Sequence, residues 1–286
     1  MTSGIDEAMT VDERVRAAAA RVEEVAASCP GTLAACVPGL LGVNEDVELP
    51  LASTGKLLLL AAVAQGVAGG ELDPGETVEL AEDDYAAGSG LLIGLSARTW
   101  TIGDLALLTA SVSDNTATNA LLRRLGLDRV AAIAAGLGLV RTRILDRIRE
   151  PRLPVHPPAF ALGTARELAA LAAALDGEEP WKRLMLGWMA HNTDRSLVPA
   201  LLPHEPEDRE IPEAVPYPGV WVANKTGTDA GTRADVGLLV GTRRLGYAVL
   251  AHGPDGSEHD LVLAIREVGR AIAALVHCTA RGAAVK

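Results

Sequence analysis

The sequence predicts an α+β protein with two lobes, in which an antiparallel sheet flanked by the two terminal helices carries an inserted all-helical segment. Helical and strand-like patterns occur together near both chain ends, whereas the stretch from Ser53 onward is rich in Ala and Leu at helical spacing. The chain has 286 residues, 49% of them hydrophobic, which suits about two lobes around a large core. We assign residues 1–52 and 203–286 to a discontinuous α/β lobe and residues 53–202 to the helical lobe, with a functional cleft between them.

The first lobe begins with a helix over residues 10–28, whose apolar residues recur at helical spacing and whose acidic residues cluster at its start. After the Pro30-Gly31 turn, residues 32–37 and 46–51 are predicted to pair as a hairpin, because Gly and Asn punctuate the stretch between them.

The middle of the chain is predicted to be helical, and the strands return only near its end. The predicted helices cover residues 53–67, 102–125, 127–136, 165–175 and 181–189. Residues 203–218 are rich in Pro and Glu, which indicates a surface loop. Three strands over residues 220–225, 234–241 and 246–251 and a last helix over residues 257–276 complete the α/β lobe.

Composition excludes several classes of partner. The net charge of −11 argues against nucleic acids and anionic membranes. The longest apolar run, residues 57–64, is too short to cross a bilayer. The start of the chain lacks a signal-peptide pattern, so we expect a cytoplasmic monomer, or a secreted one whose leader has been removed. Cys29, Cys36 and Cys278 form no C-x-x-C pair, which favours free thiols over the alternative Cys29–Cys36 bridge.

Several common catalytic motifs are missing from the sequence. The six histidines form no H-E-x-x-H or H-x-H-x-D pattern, so we expect no metal, and we expect no other cofactor. The sequence also lacks the G-x-S-x-G elbow of α/β-hydrolases and the G-x-x-x-x-G-K-[ST] loop of nucleotide-triphosphate enzymes.

The segment Ser53-Thr54-Gly55-Lys56 precedes a strongly apolar helix. A serine and a lysine three residues apart share one helix face, so the Lys56 amine can reach the Ser53 hydroxyl. A lysine whose pKa is lowered can activate a serine nucleophile, and the helix N-terminus can stabilise an oxyanion. Taken alone, the pattern is weak and more often marks a helix cap, here Ser53, followed by a solvated lysine, here Lys56.

Two further motifs follow in order, Ser113-Asp114-Asn115 and, at the end of a predicted strand, Lys225-Thr226-Gly227. This succession is typical of serine β-lactamases and penicillin-binding proteins. Over roughly residues 30–280 the chain resembles the class A serine β-lactamase family in the order and spacing of all three motifs. The resemblance implies a β-lactamase-like fold and a serine hydrolase that forms an acyl-enzyme with β-lactams.

The resemblance implies roles for the residues of the motifs. Ser53 would be the acylated nucleophile, Lys56 its base, and Ser113 the donor of a proton to the leaving nitrogen. The backbone N–H groups of Ser53 and Thr228 would form the oxyanion hole.

Asn115 would hold the substrate side-chain amide or position Lys56, and Lys225, Thr226 and Gly227 would bind the substrate carboxylate. Arg233 lies where relatives carry a second carboxylate-binding arginine, although a solvated strand residue explains it as well. The partner implied is a small molecule that carries a carboxylate.

Glu150, in a Glu-Pro-x-Leu segment, resembles the residue of the family that activates the deacylating water. The sequence departs from the family at Pro154, where an Asn is usual. It also has no Asp, Glu or Asn between Pro151 and Arg166 to close the loop. The alternative role for Glu150 is a salt bridge with a neighbouring arginine.

Other residues near the motifs have simpler explanations. Tyr85 and Ser89 fall where relatives place the wall of the substrate cleft, but a turn explains the Gly-Ser-Gly segment around Ser89 equally well. We expect Trp188 and His191 to belong to the core or its rim.

Two other functions remain open. The altered loop and the missing signal peptide favour a penicillin-binding-protein-like amidase or esterase, or a biosynthetic acyl-transfer enzyme. A binding module that is acylated without turnover is disfavoured, because it would not need the proton relay of Lys56 and Ser113.

Overall fold

The computed structural model describes residues 10–277. Within this range the helices are α1 Val11–Ser28, α2 Lys56–Ala68, α3 Ile102–Ser111, α4 Asn115–Leu125, α5 Leu127–Gly136, α6 Ala165–Ala174, α7 Pro180–Ala190 and α8 Glu258–Val276. The strands are β1 Thr32–Val37, β2 Leu41–Val43, β3 Leu49–Pro50, β4 Thr77–Glu79, β5 Thr99–Thr101, β6 Arg143–Ile144, β7 Ala161–Gly163, β8 Trp221–Asp229, β9 Thr232–Val240 and β10 Arg244–His252.

The main sheet has five antiparallel strands in the order β2-β1-β10-β9-β8. Strand β1 pairs with β10, so a strand from early in the sequence lies beside one from late in the sequence in the middle of the sheet. Successive side chains of a strand face opposite sides. Accordingly, Leu33 and Ala35 pack with the terminal helices α1 and α8, whereas Ala34 and Cys36 belong to the core shared with the helical segment. The predicted α+β class, with a sheet flanked by terminal helices, is confirmed.

Helix α2 passes through the centre of the helical segment. Every side chain from Leu57 to Ala64 is buried, which explains why this run is apolar all round instead of amphipathic. The helix packs against α3, α5 and α7, and the residue at its first position is Lys56. The core of the segment thereby fixes one end of the predicted motif.

The predicted hairpin of residues 32–37 with residues 46–51 is wrong. Val37, Pro38, Gly39 and Leu40 form a tight turn in which the Leu40 N–H donates to Val37 O at 3.0 Å. The φ of Gly39 is 74°, a value that glycine adopts freely after a proline. The chain therefore reverses early, and β1 pairs with β2, whereas β3 pairs with β7 in a separate three-stranded sheet.

The predicted single helix over residues 102–125 is two helices. Helix α3 ends at Ser111 and α4 begins at Asn115, and between them Ser113 has a φ of 55°. A non-glycine residue in this conformation cannot continue a helix. The predicted helix from Ser53 also begins later, because residues Ala52–Gly55 form one 3-10 turn ahead of α2.

Other features of the described residues bear on the remaining expectations. None of their helices is long and apolar enough to span a membrane. Cys29 and Cys36 are both free, so the alternative bridge between them does not form, and Cys278 lies outside the described range. The boundaries proposed for the two lobes place α6 in the helical one, and this helix contacts β1 and β10 of the sheet.

Candidate active site

Ser53 lies in the 3-10 turn before α2, half-buried, where two adjoining cavities meet. The residue before it, Ala52, has a φ of 44°. Strained backbone of this kind concentrates at functional sites, where surrounding structure holds it in place. One cavity, of about 150 Å³, extends toward β8. The other, of about 90 Å³, extends toward the loop that contains Glu150.

Lys56 is fully buried beneath Ser113. Its Nζ lies 2.6 Å from Ser113 O, 3.0 Å from Ser113 Oγ and 2.8 Å from Asn115 Oδ1. Burial, reinforced by the positive charge of Lys225, holds the pKa of Lys56 well below its usual range. A neutral amine can accept a proton, so this lysine has the environment that a general base requires.

Asp114, the middle residue of its motif, shapes the turn between α3 and α4. Its buried carboxylate accepts hydrogen bonds from Leu91 N at 2.6 Å, Leu92 N at 2.9 Å and Ala117 N at 2.9 Å. It therefore caps α4 and ties the preceding loop to it. These bonds hold the turn at Ser113 and so present its hydroxyl to Lys56.

Asn115 joins Lys56 to the wall of the cleft. Its Oδ1 accepts from Lys56, while its Nδ2 donates to Ala87 O at 2.6 Å and its backbone N–H to Ser89 O at 3.0 Å. Ser89 is exposed and lines both cavities. Tyr85 instead packs against the core, with the Arg98 guanidinium 4.9 Å from its ring centre.

Strand β8, at the edge of the main sheet, brings the third motif to the cavity. Lys225 is buried, and its Nζ donates to Thr226 O at 2.8 Å. Burial lowers the pKa of Lys225 to about 8, while the negative charges of Asp194 and Asp235 oppose that change. The Thr226 hydroxyl donates to Asp194 O at 3.0 Å.

Gly227 lets β8 approach the nucleophile turn closely. A Cβ at this position would lie 2.7 Å from Leu51 O, 3.0 Å from Thr54 N and 3.2 Å from Ser53 N, which is closer than side-chain carbon atoms pack. Thr228 follows on the strand and lines both cavities together with Ser53. The two residues that the sequence assigns to an oxyanion hole therefore border the same two cavities.

The structure does not bring Arg233 to the site. Its guanidinium Nη1 donates to Asp229 O at 2.8 Å and to Thr232 O at 2.7 Å, at the turn of the β8–β9 hairpin. Arg233 lines neither cavity. The alternative explanation, a partly solvated strand residue, fits this arrangement.

Glu150 is exposed and lines the second cavity together with Ser53 and Asn115. The neighbouring arginines have other partners. Arg147 Nη1 lies 3.0 Å from Asp83 Oδ2, whereas Arg149 Nε lies 2.6 Å from Asp146 Oδ2. Arg152 Nη1 also faces Asp146, at 3.7 Å. Within the described range these bridges leave Glu150 out of any ion pair, against the salt-bridge alternative.

Sequence reasoning missed Asn119, which anchors the loop that contains Glu150. On α4, its buried amide accepts from Ile148 N at 2.8 Å and donates to Ile148 O at 3.0 Å and to Asp84 O at 3.2 Å. Arg152 adds a bond from its Nη1 to Pro157 O at 2.9 Å. Asn119 lies one helical turn after Asn115, and this spacing of buried polar residues is the signal that could have revealed it.

A buried polar network behind β8 was also missed. Asp235 on β9 accepts from Asn224 Nδ2 at 3.0 Å and from Tyr247 OH at 2.8 Å, and burial raises the pKa of this carboxyl to about 7. Asn224 in turn donates to Thr226 Oγ1 at 3.2 Å and accepts from Arg195 Nη1 at 2.6 Å. A lone acid in an apolar strand was the signal in the sequence.

The remaining candidates lie away from the cavities. Trp188 is buried in the core, and His191 Nδ1 lies 2.8 Å from Gly187 O at the end of α7. Among residues 10–277, no cluster of His, Cys, Asp and Glu side chains could hold a metal ion.

Comparisons with known proteins agree with the resemblance seen in the sequence. The sequence signature described as "Beta-lactamase enzyme family" matches residues 17–276. Beta-lactamase CARB-4 of Pseudomonas aeruginosa is 32% identical over 111 residues, a match that spans 38% of this chain and 38% of that relative.

Solved structures share the fold over most of their length. A β-lactamase from Sphaerobacter thermophilus DSM 20745 is 30% identical, with a TM-score of 0.73 and coverage of 91% of this chain and 95% of the other. The structure named PBP-A has a TM-score of 0.77 at 23% identity, covering 90% of this chain and 94% of its own.

Proposed function

The chain belongs to the β-lactamase enzyme family, and from this premise we propose that it is a serine hydrolase that forms an acyl-enzyme at Ser53 and opens the amide of β-lactams. The observation that carries the proposal is the buried Lys56, whose Nζ contacts both Ser113 and Asn115 beside the cavity that Ser53 lines. A buried amine costs free energy to maintain, and proton transfer explains its presence.

In the acylation step, Ser53 Oγ attacks the carbonyl carbon of the substrate amide while the neutral Lys56 takes the serine proton. A neutral amine has two N–H groups and one lone pair. Ser113 O and Asn115 Oδ1 can accept the two N–H groups, which leaves the lone pair for the proton. As the C–N bond breaks, the proton passes across the 3.0 Å between Lys56 Nζ and Ser113 Oγ and on to the leaving nitrogen.

Substrate binding and charge stabilisation are assigned to β8. Lys225, mostly protonated below its pKa of about 8, supplies a positive charge to the cavity that Ser53 lines. The N–H groups of Ser53 and Thr228 would stabilise the oxyanion of the tetrahedral intermediate. Gly227 supports this role because it allows the strand to lie against the nucleophile turn.

Deacylation is assigned to Glu150. In this step the carboxylate accepts a proton from water as the water oxygen attacks the acyl carbon, and the Ser53 ester bond then breaks as the serine oxygen takes that proton back from Glu150. The position of Glu150 in the second cavity, out of any described ion pair, leaves its carboxylate available for this chemistry.

A second candidate is a penicillin-binding-protein-like amidase, esterase or acyl-transfer enzyme with weak turnover of β-lactams. The exposed position of Glu150, in a loop that has Pro154 in place of the usual Asn, favours it. Such an enzyme would be acylated at Ser53 in the same way, so the rate of deacylation distinguishes the two candidates.

The proposal is tested by incubating the protein with excess benzylpenicillin and recording the intact mass over time. We expect an adduct on the wild type that is absent from Ser53→Ala. The Ser28→Ala variant is a matched control, because its hydroxyl donates to Val25 O at the far end of α1 and it should be acylated normally. Equal masses for wild type and Ser53→Ala would contradict the assignment of the nucleophile.

A further inference from the structure

Asp194 lies next to the residues that would bind the substrate carboxylate, and none of the sequence motifs includes it. It lines the same cavity as Ser53 and Lys225. Its backbone oxygen accepts from Thr226 Oγ1 at 3.0 Å and from Asn192 Nδ2 at 2.8 Å. These bonds tie Asp194 directly to the Lys-Thr-Gly motif.

The Asp194 carboxylate is also held in place. Its Oδ1 accepts from Ser196 N at 2.9 Å, the geometry of an Asx-turn. The carboxylate is close enough to oppose the effect of burial on the pKa of Lys225, and the buried Asp235 acts on Lys225 in the same direction. A negative charge is therefore built in beside the cation that would bind a substrate carboxylate.

No second side-chain cation lines this cavity in the described part of the chain. Arg233 bonds to carbonyl oxygens of the hairpin turn, and Arg195 donates to Asn224 Oδ1 and to Ala190 O. Lys56 is buried below Ser113 with a strongly lowered pKa. Lys225 and Asp194 thus balance each other, and a lone anionic group gains little from the field of the cavity.

We propose that Asp194 determines specificity at this site, where it disfavours acyl substrates that bear a carboxylate alone relative to uncharged substrates or to those with an ammonium group beside the carboxylate. The inference rests on the proposed function and specifies its substrate class. An ammonium group would face Asp194 while the carboxylate faces Lys225, so both charges of a zwitterion are matched.

The test measures binding without turnover, by calorimetric titration of benzylpenicillin and its methyl ester into Ser53→Ala and Ser53→Ala/Asp194→Asn at pH 6. Lys225 is protonated at this pH, and the Asn oxygen can still accept from Ser196 N. We expect Asp194→Asn to tighten binding of benzylpenicillin by about tenfold and to change binding of the ester by less than about twofold.

The matched control is Asp73→Asn in the same background. Asp73 is exposed, remote from both cavities and holds an equivalent turn, with Gly75 N donating to its Oδ1 at 2.8 Å. Asp73→Asn removes one negative charge from the protein, as Asp194→Asn does. If the effect of Asp194 is local, Asp73→Asn should leave the dissociation constants of benzylpenicillin and its ester unchanged.

The outcomes distinguish failure of the role of Asp194 from failure of the proposed hydrolysis at Ser53. If Asp194→Asn leaves the ratio of the dissociation constants of benzylpenicillin and its methyl ester unchanged, the role of Asp194 is overturned, even when wild-type Ser53 is acylated. A changed ratio without acylation of wild-type Ser53 supports the role of Asp194 and removes the proposed hydrolysis of β-lactams. Failure of both ligands to bind Ser53→Ala overturns the role of Asp194, and acylation of wild-type Ser53 then decides the proposed function by itself.

Discussion

Lys56 Nζ lies 3.0 Å from Ser113 Oγ, although 57 positions separate the two residues in the sequence. The contact exists because α2 begins at Lys56 and because the turn between α3 and α4 places Ser113 in a left-handed conformation. A proton can cross this distance without movement of the backbone. The relay proposed for acylation therefore depends on two separate local structures.

The first prediction concerns Lys56 as the base. Because burial lowers its pKa, Lys56 should lose its proton at a lower pH than an ordinary lysine, and the acylation rate should rise with pH as it does so. Lys56→Arg stays protonated and should slow acylation by about 10²- to 10⁴-fold. Stopped-flow acylation from pH 5 to 9 measures both effects, and an arginine variant that acylates at the wild-type rate would exclude Lys56 as the base.

The second prediction concerns Lys225. As the pH rises through its pKa of about 8, the ammonium loses its charge, and kcat/KM for a carboxylate substrate should fall. Lys225→Ala should lower kcat/KM by about 10- to 100-fold, the equivalent of a lost charged hydrogen bond of about 1.5–3 kcal/mol. The methyl ester of the same substrate is the control, and an equal loss for the ester would contradict charge recognition.

The third prediction separates the two candidate functions at Glu150. Glu150→Gln should leave acylation intact and block deacylation, because the amide cannot take a proton from water. Pre-steady-state kinetics should then show a burst of β-lactam ring opening that ends at a stalled acyl-enzyme. Because Pro154 replaces the usual Asn, we also expect deacylation to limit turnover in the wild type. Equal deacylation rates in the two proteins would favour the penicillin-binding-protein-like candidate.

The fourth prediction concerns Asn119 and the Glu150 loop. Asn119→Ala removes both bonds to Ile148 and leaves backbone groups of the loop without their partner, at a cost of about 1–3 kcal/mol for each buried group. Hydrogen exchange over residues 146–157 should accelerate, and deacylation should slow more than acylation. Asn192→Ala, whose amide bonds to Asp194 and Asn224, tests the specificity of this effect, since it should leave exchange in the loop unchanged.

The fifth prediction concerns the stability of the buried network. In the folded protein the pKa of Asp235 is about 7, above its ordinary value of 3.8, so the unfolded state loses this proton first. The contribution of Asp235 to stability is therefore fully present below pH 3.8 and is lost as the pH rises through about 7.

Asp235→Asn cannot ionise, so its unfolding free energy should rise relative to that of the wild type between pH 4 and pH 7 and the difference should then level off. Urea unfolding at several pH values measures this difference in unfolding free energy. Asp176→Asn, which removes a more exposed acid, is the control. A difference between wild type and Asp235→Asn that does not vary with pH would show that Asp235 stays ionised when buried.

The sequence predicted the fold class and the family, because both depend on local signals. Ser53 and Lys56 are one helical turn apart, and helical or strand periodicity is visible within a dozen residues. The predicted hairpin and the predicted helix over residues 102–125 were wrong because of one residue each. Gly39 reverses the chain earlier than the next turn signal, and Ser113 breaks a helix whose apolar pattern continues on both sides.

The tertiary structure alone decided how the charged groups are distributed around the cavities. Arg233 lies on β9 and Asp194 in the loop after α7, and nothing in their local sequence indicates that the first bonds to the β8–β9 turn while the second lines the cavity with Lys225. The same holds for Asn119, which bonds to a loop 29 positions away. Such contacts depend on packing between distant segments, and the sequence does not encode that packing as a periodic pattern.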